Sequence, residues 1–457
     1  MNDNLKTLLE QTSESDLRLL VENLYGKTEL VDNIIETALL ASDIPSLAKH
    51  LKKQVQSLNR GRRFISYGES FEFSRSLDSL VQQISALLPK DPKAAFELAD
   101  LFISTHSKVY ERCDDSGGNV GESYREALEL WLQAASAWKS SDQPCKLDWI
   151  SELRKRYDNN DYAVWDYLIS GSAELLGEDL LQELGRQFEA ELNHFSKIDS
   201  GGYNRDRSHA KLGMKSVAEA LGDVPMYERS YLIGTPQPNE LQKEDLAKFC
   251  LKHKNPEAAL KWLEGEWQPR STYQHQQLLD AAYLMMGRND DLLRLRQEVY
   301  YAQPSYEHLH ALLEIVSDAE REDIQIDAVA RASSSDNLPL AVRTLMKLDD
   351  MDAAAKYVLH NIDKLSTAGY YELADWADEF ENQGWPLVAV AMYRVLLLDI
   401  LERARAKAYR YASEYYNALE RLDSRITDYA PVIEKSEFDT RLRQQHNRKH
   451  KFWSMVS

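Results

Sequence analysis

The densest run of possible metal ligands in the sequence is Asp114-Asp115-Ser116-Gly117-Gly118-Asn119, with Glu122 close behind. Carboxylate, hydroxyl and amide oxygens so close together are the hard donors that Ca²⁺ takes. The spacing is not that of an EF-hand, however, and Asp, Ser and Gly-Gly are also what caps and turns are made from, so a helix-joining loop is the stronger reading. Two further acids, Asp161 and Asp166, lie in NNDYAVWDYLI. If facing helices brought Asp114, Asp115, Asp161 and Asp166 together, they would make a carboxylate site of the kind that helical folds host.

Other chemical signatures fail. Gly26-Lys27-Thr28 matches the end of a phosphate-binding loop, but Val21 stands where its first glycine belongs, and a helix C-cap at Gly26 is the better reading. HExxH, GxSxG and GxGxxG do not occur, and the histidines offer no pair at helical metal-ligand spacing with a suitably placed acid. Cys113, Cys145 and Cys250 are far apart and lack CxxC spacing, so neither a disulfide framework nor a zinc site is written here. No catalytic residue, metal or cofactor is assigned.

Binding chemistry is more evident. Residues 49–63, KHLKKQVQSLNRGRR, hold six Lys or Arg and no acid, and run into Phe64-Ile65-Ser66-Tyr67. The forks of Arg60, Arg62 and Arg63 suit carboxylates or phosphates, and Tyr67 could stack on a partner group. The plainer reading is that these cations pair with acids of the same chain on a solvated face. A second basic cluster, Arg441, Arg443, Arg448, Lys449 and Lys451, precedes Phe452 and Trp453. It either folds back on the protein or offers an anchor to a partner.

The formal net charge of −19 disfavours a general nucleic-acid coat and an anionic membrane, and a protein partner is expected instead from repeat geometry and the missing catalytic motifs. Trp385 to Leu401 is apolar but carries Arg394 and Asp399, which argues for a buried helix rather than a membrane span. The opening MNDNLKTLLEQTSESD lacks a basic start and an apolar core, so it does not read as a secretory signal, and a cytoplasmic setting is expected. A homo-oligomer is possible wherever an apolar face stays uncovered.

The elements that must position these residues are helices. Hydrophobic residues make up 43% and charged residues 28%, too apolar for disorder, while 18 Gly and 13 Pro in 457 residues are too few for an all-β fold. Leu77, Leu80, Val81, Ile84, Leu87 and Leu88 line one helical face. Asp91-Pro92 then caps and starts the next helix, so two antiparallel helices meet at a short turn. The start signal recurs at Pro256, Asn289, Asp352 and Pro386, with offsets of 33, 63 and 34 residues. These fit, with one unmarked hairpin, the period of about 34 of tetratricopeptide repeats, though the strict consensus is absent.

The expected fold is thus all-α, stacked helical hairpins forming a degenerate tetratricopeptide-like α-solenoid. Polar, Gly- and Pro-containing breaks fall at 140–144, 196–209 and 235–240. They suggest an N-terminal helical region with the basic segment (1–110), a middle helical region (111–240) and C-terminal repeats (241–457) closed by a long helix from Pro386 to about Leu419.

The segments NRGRRFISYGES, CDDSGGNVGE, NNDYAVWDYLI, AEALGDVPMY, YEHLHALL and AMYRVLLLDILERARAKAYRYASEYY resemble, in that order, a large bacterial family of uncharacterised helical proteins. The resemblance covers nearly the whole chain. It implies a helical fold and no activity, since the family is a domain of unknown function. In some relatives a similar region accompanies a SWIM-type zinc finger; this chain has no such cysteine set, so no zinc or DNA role carries over. The matching polar positions are Arg60, Arg62, Arg63, Tyr67, Asp114, Asp115, Asp161, Tyr162, Asp166 and Asp223, candidates for a shared surface or a buried polar network. The reading that results is a non-catalytic helical-repeat scaffold for a protein partner. Its rivals are a nucleic-acid-contacting accessory of a bacterial defence or repair assembly, and an enzyme with a carboxylate site between helices.

Overall fold

The computed structural model describes residues 10–143, 145–198, 204–234 and 237–456. The first nine residues of the N-terminal stretch, and parts of the three polar breaks (144, 199–203 and 235–236), lie outside the described residues. Among those described, the chain is all-α and forms no strand. It divides into two compact units, Met1–Trp262 and Leu263–Ser457.

The first unit contains α1 (Glu14–Leu24), α2 (Glu29–Leu39), α3 (Ile44–Leu58), α4 (Tyr67–Ser85), α5 (Pro92–Ile103), α6 (His106–Tyr110), α7 (Asn119–Lys139), α8 (Trp149–Asp158), α9 (Ala173–Ile198), α10 (Arg205–Leu221), α11 (Val224–Leu232), α12 (Glu240–Lys252) and α13 (Pro256–Leu263). Starts follow local chemistry. Asp91 accepts from the Ala94 amide and Pro92 stands in the first turn of α5, the pairing that Asp-Pro predicts. Gly26, just past α1, takes φ +83°, the left-handed conformation that ends helices. Leu77, Leu80, Val81 and Ile84 are the buried side of α4.

Helices α4 and α5 both rest on α7, and α9 pairs with α10. At the centre, the buried Trp131 ring lies 4.9 Å from Phe96 and edge-on to Trp149 and Trp165. Its indole N–H donates to Asp100 at 2.9 Å, and Arg156 donates to the same carboxylate oxygen at 2.8 Å while lying 4.9 Å over the Trp131 ring. A desolvated guanidinium is tolerable there because carboxylates and aromatic faces surround it.

The second unit continues through α14 (Thr272–Met286), α15 (Asn289–Ala302), α16 (Tyr306–Leu313), α17 (Asp318–Ser333), α18 (Leu338–Lys347), α19 (Met351–His360), α20 (Tyr370–Asn382), α21 (Pro386–Glu402), α22 (Tyr409–Asp423), α23 (Lys435–His446) and α24 (His450–Trp453). From α14 to α22 most pack chiefly on a neighbour in sequence, whereas α24 reaches back to α22. Between 290 and 350, where the sequence signals leave one hairpin unmarked, helices start at Tyr306, Asp318 and Leu338, the second behind a capping box of Ser317 and Glu320.

The single helix expected from Pro386 to about Leu419 is two helices, α21 and α22, folded against each other. The chain reverses where Ala404 adopts φ +50°, and Asp399 gathers Arg403 at 2.8 Å and Arg405 at 3.3 Å around that turn. The tail folds back: Phe452 is fully buried, edge-on to Tyr409 and Tyr416, and the Trp453 indole donates to the His446 carbonyl at 2.9 Å.

Candidate functional site

Two of the stretches singled out in the sequence meet at one corner of the first unit. After α3 the chain crosses Arg60 to Ser66 and enters α4 through a capping box in which Ser66 and Glu69 satisfy each other. Glu69 also pairs with Arg63. Just before the cap, the Ile65 amide donates to the Arg112 carbonyl at 2.8 Å, and the Asp114 amide donates to the Ile65 carbonyl at 2.9 Å. This parallel bridge between Ile65 and Cys113 fastens the arginine segment to the aspartate loop. Gly61 lets the Arg112 side chain lie close against it, since a Cβ there would stand 2.6 Å from Arg112 Cζ. The Arg112 guanidinium itself sits 5.2 Å over Phe73.

At this corner the polarity of α4 is inverted. Ser70 and Ser74 face the core, 1% and 4% exposed, while Phe64, Tyr67 and Phe71 stand 60%, 62% and 62% exposed. The serines suit their place, because their hydroxyls bond back to the carbonyls of Tyr67 and Phe71 and their small size lets α7 approach, where the buried Ser123 donates to Asp78. The aromatic rings are left outside. Arg60 and Arg62 are exposed beside them in sequence, and no ion pair to either is found among the described residues. Of the three arginines, only Arg63 follows the plainer expectation of pairing within the chain.

The aspartate loop is built as a turn. Asp115 accepts from the amides of Val120 and Gly121 at 2.9 and 2.8 Å, capping the start of α7, and Gly118 takes φ +73° before it. Asp114 accepts from the amide and hydroxyl of Ser116, which together hold its carboxyl below the usual carboxylate range. No group of three or more His, Cys, Asp or Glu that could hold a metal occurs among the described residues. Burial pushes the Cys113 thiol up and lifts the Tyr110 phenol to about 12.

A third stretch reaches the same loop. Tyr162 stacks on Tyr110 of α6 at 5.4 Å and 24°, and the Tyr110 hydroxyl and Asp115 flank Gly121, each 3.5 Å from where its Cβ would stand. Tyr162 and Ala163 both hold left-handed backbone, φ +57° and +61°, a costly conformation for residues with a side chain. Asp161 is exposed at this turn, and Asp166 is occupied by Asn160, which donates to it at 2.5 Å.

The other predicted positions lie elsewhere. Asp223 caps α11 by accepting from Met226 at 2.8 Å. In the second unit Arg448 is exposed, Lys449 and Trp453 are half-buried, and the Trp453 ring carries the Arg443 guanidinium 4.5 Å above it. Phe71 was not among the predicted positions. Its signal was its spacing with Phe64 and Tyr67, which reads as a buried stripe until the serines between them are weighed.

One family model, that of the Family of unknown function (DUF6880), matches residues 18–455. No curated protein and no solved structure matches the chain.

Proposed function

Because the chain belongs to the family of unknown function (DUF6880) over nearly its whole length, its role must be read from its own surface, and we propose that it is a non-catalytic scaffold that holds a protein partner. The observation that carries this reading is the inverted start of α4, where three aromatic rings are displayed while serines are buried. Aromatics and arginine are the residue types enriched where proteins bind one another. The exposed Arg60 and Arg62 commit the surface to a segment that carries carboxylates beside apolar side chains.

The second unit supports the scaffold half of the proposal. The first helices of its successive pairs begin at Thr272, Tyr306, Leu338 and Tyr370, close to the period of about 34 residues of tetratricopeptide-like arrays. Such hairpins bury their apolar faces by stacking and leave an extended surface for ligands.

The test compares tagged wild-type protein with Arg60→Glu/Arg62→Glu and Phe64→Ser/Phe71→Ser variants, purified from cells under mild crosslinking. A stoichiometric protein retained by the wild type and lost by both variants, at unchanged thermal unfolding, supports the proposal. A titration with an acidic segment of that protein should then reproduce the difference. Binding to single-stranded RNA that weakens steeply with salt, with no protein retained, would overturn it in favour of nucleic acid.

A further inference from the structure

Helices α14, α15 and α16 of the second unit enclose a cavity of about 420 Å³, within the size range of small-molecule sites. Its floor is apolar, made by Leu295 and Val299 of α15 and Ala311 of α16. Arg296 is the one Lys or Arg in its wall, and its donors are spent on both oxygens of Asp280, the Ala311 carbonyl and Glu314. What the wall still offers is lone pairs. Glu307 is exposed there without an ion pair among the described residues, and the Asp280 side chain stays 32% exposed beside its guanidinium partner. The His308 Nδ1–H donates to the Gln303 carbonyl at 2.7 Å, which leaves Nε2 of the neutral ring as an acceptor. The Tyr273 ring is 61% exposed, and its hydroxyl accepts from the Gln277 amide at 2.7 Å.

Charge and hydrogen bonding select the same ligand. Asp280, Glu307 and Glu314 face a single guanidinium, that of Arg296. The cations that act on Glu307, Lys347 and Arg343, stand outside the wall, the first over the Tyr306 ring at 5.1 Å and the second paired with Glu372. An anion would meet carboxylates and no unspent guanidinium, and a wholly apolar molecule would strand the acceptors. An ammonium group brings three donors and a positive charge, an exposed tyrosine ring attracts it, and an apolar stem covers the floor. We propose that this cavity binds an organic ammonium ion, its charged head among Asp280, Glu307 and the Tyr273 ring and its stem on Leu295, Val299 and Ala311. The net charge of −19 draws such ions toward the protein. The site belongs to the second unit and does not depend on the docking corner at Arg60 to Phe71.

The experiment is calorimetric titration of the full chain. Phenethylammonium should bind, and phenylacetate, of nearly the same size and opposite charge, should bind about tenfold more weakly. Glu307→Gln and Tyr273→Ala should each weaken phenethylammonium about fivefold. Both side chains are exposed, so thermal unfolding should not move. Nα-acetyl lysine amide separates two sources of the ammonium group. Tighter binding of the blocked lysine assigns the cavity to a side chain of a docked protein, and tighter binding of phenethylammonium assigns it to a free amine. The proposal is overturned if neither ammonium binds below about 10 mM, if phenylacetate binds as well as phenethylammonium, or if both variants bind like the wild type.

Discussion

Ile65 and Cys113 lie side by side as a one-residue parallel bridge, with the Ile65 amide and carbonyl both engaged by the chain flanking Cys113. Ile65 is itself buried, so these two bonds are shielded from water and set how the arginine segment sits on the aspartate loop.

Replacing Ile65 with proline removes the donor to Arg112 and leaves that carbonyl unpaired. The expected loss is about 2 kcal/mol of stability in the first unit, read by chemical denaturation. On the proposed scaffold reading, retention of a protein partner should fall as well, because Phe64 and Tyr67 are presented from the same segment. An unchanged denaturation midpoint would mean that the bridge contributes nothing.

The turn at Tyr162 and Ala163 should respond in the unusual direction. Glycine adopts left-handed backbone without penalty, so Ala163→Gly relieves a cost that outweighs the entropy it adds to the unfolded chain. Stability is expected to rise by about 0.5–1 kcal/mol. Tyr162→Gly, by contrast, also removes the ring stacked on Tyr110 and should not stabilise. Differential scanning calorimetry separates the two.

Arg296 of α15 is buried and held by both carboxylate oxygens of Asp280 at 2.7 and 3.0 Å, with a further bond to the Ala311 carbonyl. Arg296→Met strands Asp280 and that carbonyl, and should cost about 2–3 kcal/mol, the lower part of the range for breaking a buried pair because Asp280 still reaches water. Lys356→Ala, which breaks an exposed pair with Asp352, should leave unfolding unmoved. Equal losses in both variants would contradict this account.

Acid should weaken the second unit through His446. Burial holds its imidazole below the ordinary value of 6.5, with Lys449 adding to the effect and Glu402 opposing it, and its Nε2 has no partner. Below 6.5 the unfolded chain therefore binds a proton that the folded chain refuses. Stability is full above that value and falls as pH drops toward the folded-state value. Unfolding of the second unit followed from about pH 7 to about pH 5 should show this slope, and His446→Gln should flatten it.

Much of the architecture was legible because its signals are local. Asp91-Pro92 and Asp350 mark helix starts through their own side chains, and the α4 stripe from Leu77 to Ile84 repeats at the helical period. The corner was legible only in pieces. Arg60 to Tyr67 and the Asp114 loop each stood out, but backbone bonds between Ile65 and the Cys113 region leave no mark in side-chain types. The outward turn of Phe71 was hidden because periodicity assigns aromatics to the core before it considers Ser70 and Ser74. The break between α21 and α22 was missed for a related reason: Arg403-Ala404-Arg405 contains no glycine or proline, and an alanine makes the left-handed turn.

In the second unit, where most helices rest on a neighbour in sequence, this pattern shapes how the protein comes into being. Local contacts form quickly, so successive hairpins can settle while later ones are still being synthesised. The bridge at Ile65 differs, since it closes a loop containing all of α4, α5 and α6. The aromatic corner therefore takes its final form only after the chain around Cys113 has emerged, and a growing chain does not display Phe64, Tyr67 and Phe71 in their final arrangement before that loop is in place.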